Sequence, residues 1–333
     1  MSATMVDLAQ TSKDPLLAGV AEMFLMYSDP MKYMTYETIG DLRVAQTLMA
    51  TLPTWAYRAI NGAYTEGTGT FETLEEDLSI IGHDIDIDLE LEGNRTQMVP
   101  MEATQVKGAM KSLSYRINND LVNGDAATNP LAVDGLTVRV GNLAARQRIA
   151  ADAAAPTTDL PVFASAENQN QAMERIDEAI SVLDGGQCDL ILMDETSLRG
   201  LYALVRRVGG TAGMIDYRDF MLGSGVQAVA SLKLGPRNIN IALTGFTDET
   251  QATRVIPLTM DPGDGGNDAT AMFFVRLGKE YFTGIQKRAL RTKKFDELEV
   301  GPQKRIRLDW PYGYSNWNDR SISRILGLRW QAS

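Results

Sequence analysis

The sequence predicts an α+β fold, and three observations carry that expectation. Over residues 96–123, Val106, Met110, Leu113, Ile117 and Leu121 recur at spacings of three and four, the pattern of one long amphipathic helix. A strict alternation sets Ile85, Ile87, Leu89 and Leu91 against Asp84, Asp86, Asp88, Glu90 and Glu92, the pattern of a strand with one acidic face. The other helix and strand signals follow one another without a regular βαβ repeat, which argues against a doubly wound parallel sheet.

Taken in order, the elements begin with a short helix. Asp14 is placed to cap it, Pro15 suits its first position, and Leu16, Leu17, Val20, Met23 and Phe24 form its apolar face before Asp29-Pro30. Residues 55–94 shift to glycine, threonine and acid and end in the alternating run, so they read as a long two-stranded excursion. Gly124 is placed to stop the long helix. The alanine-rich segment 141–161 reads as loop. Ser165 caps a helix whose face is Met173, Ile176, Ile180 and Leu183, ended by Gly185-Gly186. Leu190 to Met193 is a buried strand, and a helix with Leu198, Leu201, Val205 and Val208 follows. Further strands are expected over 227–234, 239–243, 271–277 and 304–310, with a Gly/Asp-rich turn over 261–268.

Composition excludes several function classes. The 333 residues, 44% hydrophobic and 23% charged, suffice for one large or two medium packed domains. No basic segment followed by an apolar one opens the chain, and no apolar run approaches the roughly 18–20 residues that span a bilayer. Cys188 is the single cysteine and His83 the single histidine, which removes internal disulfides and Cys/His zinc sites. A net charge of −11 disfavours tight binding to phosphate backbones, so a nucleic acid nearby would be contained without being gripped. The charge is uneven: residues 1–269 hold 19 Lys or Arg against 37 Asp or Glu, and residues 270–333 hold 13 against 6.

Catalytic and ligand-binding motifs are weak. His83 opens the alternating strand with no nucleophile beside it and reads as a surface or interface residue. Asp84, Asp86 and Asp88 have Leu89 where a calcium loop needs glycine at its sixth position. The turn Asp261-Pro262-Gly263-Asp264-Gly265-Gly266-Asn267-Asp268 reads as a turn, with weak divalent binding as the alternative. Phosphate-cradling glycine loops are absent from the sequence, and Met110, Met173 and Met193 fall on expected core faces. No catalytic, cofactor or metal residue is assigned.

The end of the long helix, Ile117-Asn118-Asn119-Asp120-Leu121-Val122-Asn123-Gly124-Asp125, followed by Asn129-Pro130 and Asp134-Gly135-Leu136, resembles the tailed-bacteriophage major capsid proteins. Their fold is named after phage Hong Kong ninety-seven. Leu183-Asp184-Gly185-Gly186 before the strand at Asp189 to Met193, the strand Ala271 to Gly278, and Arg307-Leu308-Asp309-Trp310 with the stretch to Gly327 agree in order. The resemblance implies an N-terminal arm (1–53), an extended E-loop hairpin (54–95), a peripheral-domain spine helix (96–132), an axial domain (about 133–270), and a return to the peripheral domain (271–333).

It further implies a self-assembling, non-enzymatic subunit, forming hexameric and pentameric capsomers of an icosahedral phage head around double-stranded DNA, assembled in the host cytoplasm. Implied partners are a separate scaffolding protein, since only about fifty residues precede the E-loop, with a portal and a decoration protein; no cofactor or membrane is involved. An encapsulin-type compartment shell is the alternative within the same fold, and a carboxylate-based hydrolase the alternative outside it. Some family members cross-link an E-loop lysine to an asparagine, but no lysine lies between Lys32 and Lys107. The expected contact between copies sets an acidic surface (Glu72, Glu75, Glu76, Asp77, Asp84, Asp86, Asp88, Glu90, Glu92) against a basic one (Lys287, Arg288, Arg291, Lys293, Lys294).

Overall fold

Alternation of side chains to opposite faces of strands decides most of the architecture. The computed structural model describes residues 2–4, 24, 26–89, 101–208, 215–222, 225–234, 237–260, 262–263, 268–298 and 301–330. The first strands are β1 (Ser2–Thr4), β2 (Thr35–Thr38), β3 (Arg43–Thr51), β4 (Thr70–Asp77) and β5 (Ser79–Asp88). Then come helices α1 (Met101–Asn123) and α2 (Leu136–Asn142), strands β6 (Arg148–Ala150) and β7 (Leu160–Pro161), helix α3 (Ala166–Val182), strand β8 (Leu190–Met193) and helix α4 (Glu195–Val208). The chain continues through β9 (Ile215–Leu222), β10 (Gly225–Leu234), β11 (Arg237–Leu243), β12 (Ala269–Val275), β13 (Phe282–Gln286), β14 (Arg291–Leu298), β15 (Gly301–Asn316) and β16 (Ile322–Arg329).

Among the described residues these strands make three sheets. A six-stranded sheet runs β1-β2-β13-β15-β14, with β5 on the opposite edge of β15. An eight-stranded sheet runs β6-β16-β12-β8-β11-β10-β9, with β7 also on β16. The two-stranded β3–β4 ribbon stands apart.

The six-stranded sheet lies against α1. On β15, Trp310, Tyr312 and Tyr314 fall at period two on one face and are all buried. The Trp310 and Tyr312 rings stack with centroids 5.1 Å apart, and Phe282 stacks on Tyr314 at 5.9 Å. Tyr312 Oη donates to Asp120 Oδ2 of α1 at 2.9 Å, and Trp310 Nε1 donates to Gln286 Oε1 at 3.0 Å, so the polar tips of these two rings are satisfied. Val106, Met110, Ile117 and Leu121 of α1 join the same core, on the face the periodicity predicts.

The central strands β8 and β12 of the eight-stranded sheet are buried on both faces. Leu190, Leu192, Phe273 and Val275 enter the core shared with α1, while Ile191, Met193, Met272 and Phe274 enter a second core under α3 and α4. Strands covered on both sides read as unbroken apolar runs, which is how Leu190 to Met193 reads. Ser165 Oγ accepts from Asn168 N at 3.1 Å and caps α3, as its sequence indicates. Cys188 is buried, and its thiol donates toward the Leu190 and Val275 carbonyl oxygens.

The α1–α2 connection explains the Asn-Gly-Asp and Asp-Gly-Leu strings. A Cβ on Gly124 would lie 2.2 Å from the Val133 carbonyl oxygen, and one on Gly135 would lie 2.7 Å from the Asp120 carbonyl oxygen. The two glycines let the turn fold back on itself, and Gly135 N donates to Gly124 O at 2.8 Å.

The structure redraws several expected bounds. The excursion opens at Arg43, not near residue 54, because Arg43 pairs with Asp77 and the ladder runs to Thr51 and Thr70. The alternating strand 79–88 belongs to the body, on β15. Residues 141–161 supply the end of α2 and the edge strands β6 and β7, whose pairing with β16 is non-local and leaves no periodic signal. Of the helix expected from Asp14, Phe24 is described: it is buried and packs edge-on against Trp310 with centroids 6.0 Å apart. Residues 96–100, the rest of that first helix face, and Asp261 with 264–267 lie outside the described residues, so the divalent reading of the 261–268 turn does too.

Gly124→Ala should lower unfolding stability by about 1–3 kcal/mol through backbone overlap. Gly108→Ala, within α1 and with open space around it, should raise stability by roughly 0.5–1 kcal/mol. Chemical denaturation of both variants checks the contrast.

Candidate assembly surfaces

Among the described residues the β3–β4 hairpin forms a sheet of its own, and β3 is exposed along most of its length. Near its tip the strands approach closely: a Cβ on Gly69 would lie 2.4 Å from the Thr51 carbonyl oxygen, and the Thr51 and Thr70 hydroxyls are 2.8 Å apart. Beyond them, residues 52–69 carry Leu52, Trp55, Tyr57, Ile60 and Tyr64, with Trp55 98% and Ile60 93% exposed. Arg58 lies over the Tyr64 ring at 4.9 Å. Large apolar side chains clustered in water mark a surface that another molecule covers.

The base of the hairpin is clamped to the body. Arg139 of α2 donates to Glu76 Oε1 at 2.5 Å and Oε2 at 2.9 Å, and to the Tyr314 carbonyl oxygen at 2.8 Å. The two side chains are only 10% and 13% exposed, so this bidentate pair is shielded from water. On the exposed side, Arg43 holds Asp77 through Nε at 2.6 Å and Glu75 at 3.1 Å.

The outward face of β5 meets arginines of its own neighbour strand. Arg307 pairs with both oxygens of Asp84 at 2.7 Å, and Arg305 does the same with Asp86. The antiparallel register sets each arginine directly opposite its aspartate. Hydrogen bonds from these arginines hold Asp84 and Asp86 below the ordinary carboxylate pKa, and Arg43 does so for Asp77. At Asp309, burial works against the charge, but the hydrogen bonds and positive charges of Arg291 and Arg288 together outweigh it and lower the pKa.

No family model and no curated relative matches the chain. Solved structures do match, over nearly its whole length. A chain of the holo-SrpI encapsulin complex from Synechococcus elongatus PCC 7942 superposes with a TM-score of 0.60 at 10% identity, covering 91% of this chain and 88% of that one. A chain of the empty GTA particle capsid gives 0.58 at 13% identity, covering 92% and 90%. A chain from Mycobacterium phage Bobi gives 0.56 at 11%, covering 93% and 91%. The fold is the Hong Kong ninety-seven shell fold.

Within this fold, most of the charged residues expected to meet across copies find partners in the same chain. Glu75, Glu76, Asp77, Asp84 and Asp86 pair with Arg43, Arg139, Arg305 and Arg307 as above. Arg288 and Arg291 pair with Asp309, Lys294 pairs with Glu102, and Lys293 sits over the Phe295 ring at 4.6 Å. The basic strand that faces the acids of β5 within the subunit is β15, its own neighbour in the sheet. Glu72 and Lys287 are exposed, Asp88 is half-buried at the end of β5, and Glu90 and Glu92 lie outside the described residues. His83 is exposed at a groove of about 270 Å³ lined by Ile81, Leu113, Leu290 and Leu308. Among the described residues no cluster of His, Cys, Asp or Glu is arranged to hold a metal, and no helix is long and apolar enough to cross a membrane.

The sequence reading misses the aromatic tip and the arginines that serve the acids. Their signals are present: Trp55, Tyr57 and Tyr64 fall within a Gly/Thr-rich stretch with no alternation to place them in a core. Arg305-Ile306-Arg307-Leu308 repeats the β5 alternation with the opposite charge.

Removing one partner of the shielded pair, as in Arg139→Met, should cost on the order of 3–5 kcal/mol and expose the hairpin base to limited proteolysis. The aspartates with depressed pKa values stabilise the fold above the ordinary carboxylate value of 3.8 and lose that contribution as pH falls through their lower folded values. Acid unfolding of Asp84→Asn should therefore show a shallower pH dependence below about pH 4 than the parent chain.

Proposed function

We propose that this chain is the subunit of a protein shell, a major capsid protein whose copies associate as hexamers and pentamers of an icosahedral phage head around double-stranded DNA. The observation that carries this reading is the uncovered hairpin with its apolar tip. A two-stranded ribbon is marginal in water by itself, and this one ends in exposed Trp, Tyr and Ile side chains, so a neighbouring copy supplies its support. The shell fold supports the same reading, and the function is structural, not catalytic. Scaffolding, portal and decoration proteins would be separate chains. The similarity to an encapsulin supports a second reading, a bacterial compartment around a protein cargo.

The hairpin tip carries arginine and no lysine, so shell stability rests on non-covalent contacts, not on a lysine–asparagine bond. Shells dissolved in hot detergent should run as a single 36.5 kDa band without a ladder.

Negative-stain electron microscopy of the purified protein, alone and with a scaffolding partner, tests the proposal. Closed shells, tubes or sheets are expected; a protein that stays monomeric at every concentration overturns it. Packaged nucleic acid selects the phage head, and a co-purifying enzyme selects the compartment. Trp55→Ser with Tyr57→Ser should leave the melting temperature of the free subunit within a few degrees, because neither ring is buried there. The concentration needed for assembly should rise at least about 30-fold, as for a lost interface hot spot.

A further inference from the structure

Strand β6 lies at an edge of the eight-stranded sheet, paired parallel to β16, and the register sets Arg148 directly beside Arg324. Side chains in register leave a sheet on the same face, so the two stems run side by side. On the other edge of β16 the same lateral row continues through Phe273 to Leu192, both buried in the core shared with α1. Arg324 therefore stands between an apolar core and a like charge.

Neither arginine has a carboxylate partner among the described residues. The Arg324 Nε is buried without an acceptor, and so is the Nε of Arg329 farther along β16. Burial, and after it the charge of Arg148, lowers the Arg324 pKa from its ordinary value. The guanidinium nevertheless stays charged, as arginine does in proteins. Laying an aliphatic stem over apolar neighbours accounts for half-burial. It leaves the inner Nε dry beside the stem, while the outer nitrogens lie at the half-exposed end of Arg324 next to the exposed Arg148. A half-buried cation beside a like charge, with no carboxylate partner among the described residues, is placed to gain from a counter-charge that another molecule brings.

We propose that Arg148 and Arg324 form a carboxylate receptor that a second copy of this chain fills on association. This inference rests on the shell reading. One carboxylate can bridge two parallel guanidiniums with charge-assisted hydrogen bonds. The chain supplies such groups in excess: it carries −11 overall, and Glu66 and Glu72 on the exposed hairpin have no ion partner among the described residues. A phosphate has similar oxygen geometry, but the acidic body of the subunit repels a polyanion from the surroundings of the pair.

The test compares assembly thresholds by light scattering and sedimentation for the parent chain, Arg324→Met and Arg324→Lys. Arg324→Met keeps the stem and removes the charge, so the free subunit should melt at the same temperature or higher, while the threshold rises at least about tenfold. Arg324→Lys should fall between, since an ammonium keeps the charge and loses the bidentate geometry. An unchanged threshold for Arg324→Met beside a parent that assembles overturns this inference alone. So does a fall in melting temperature of the free Met variant, which would assign a folding role, or a normal threshold with shells that retain less DNA, which would assign the pair to nucleic acid. A parent chain that never assembles overturns the shell reading and this inference with it.

Discussion

The packing of β15 against α1 is the constraint on which the rest of this subunit depends. One sixteen-residue strand carries Trp310, Tyr312 and Tyr314 inward and Arg305 and Arg307 outward, and it is paired along both edges. Its pairing with β5 sets where the chain leaves the body at Ser79, and hence where the β3–β4 ribbon emerges. Near its far end, the Tyr314 carbonyl receives the same Arg139 that grips Glu76 at the hairpin base. Core packing, sheet register and the aim of the hairpin are therefore set by one strand.

The internal settling of charge changes what is left for contact between copies. A face of aspartates on β5 looks like an invitation to a basic partner, yet each paired acid already faces an arginine on β15. Such half-exposed pairs are each worth roughly 0–1 kcal/mol. They favour one register of β5 on β15, since a slip by one residue would bury aspartate and expose isoleucine. Their role in the subunit is thus specificity of folding, and among the described residues the surface left without internal partners includes the apolar hairpin tip and the cationic β6–β16 edge.

Much of the α+β framework is legible in the sequence because it rests on local periodicity. The helix face Val106 to Leu121, the capped helix after Ser165 and the strand Leu190 to Met193 all declare themselves through spacing of 3.6 or through a run of apolar residues. The bounds of the excursion do not, because β3 is exposed along most of its length and an uncovered ribbon needs no apolar alternation. The edge strands β6 and β7 are short and gain their identity only from β16. The candidate surfaces divide in the same way. Acidic alternation is visible in the chain, but which basic segment answers it depends on a pairing across more than two hundred residues. The arginine pair at the edge is invisible to any local pattern, since Arg148 and Arg324 meet only through sheet register.

Magnitudes decide which surface can drive association. A buried tryptophan or tyrosine hides about 150–250 Å², which at about 25 cal/mol per Å² is roughly 4–6 kcal/mol per ring before the costs of association are subtracted. No screened surface ion pair approaches this. The tip residues thus have the energy to hold copies together and little directional information, because apolar contact is tolerant of small rotations. A carboxylate seated between two guanidiniums has the opposite character, contributing less net energy but demanding one geometry. A closed shell needs both kinds of contact. Adhesion alone yields amorphous aggregate and orientation alone a weak encounter, so on the proposed shell reading the hairpin tip and the β6–β16 edge would supply the two complementary kinds of contact.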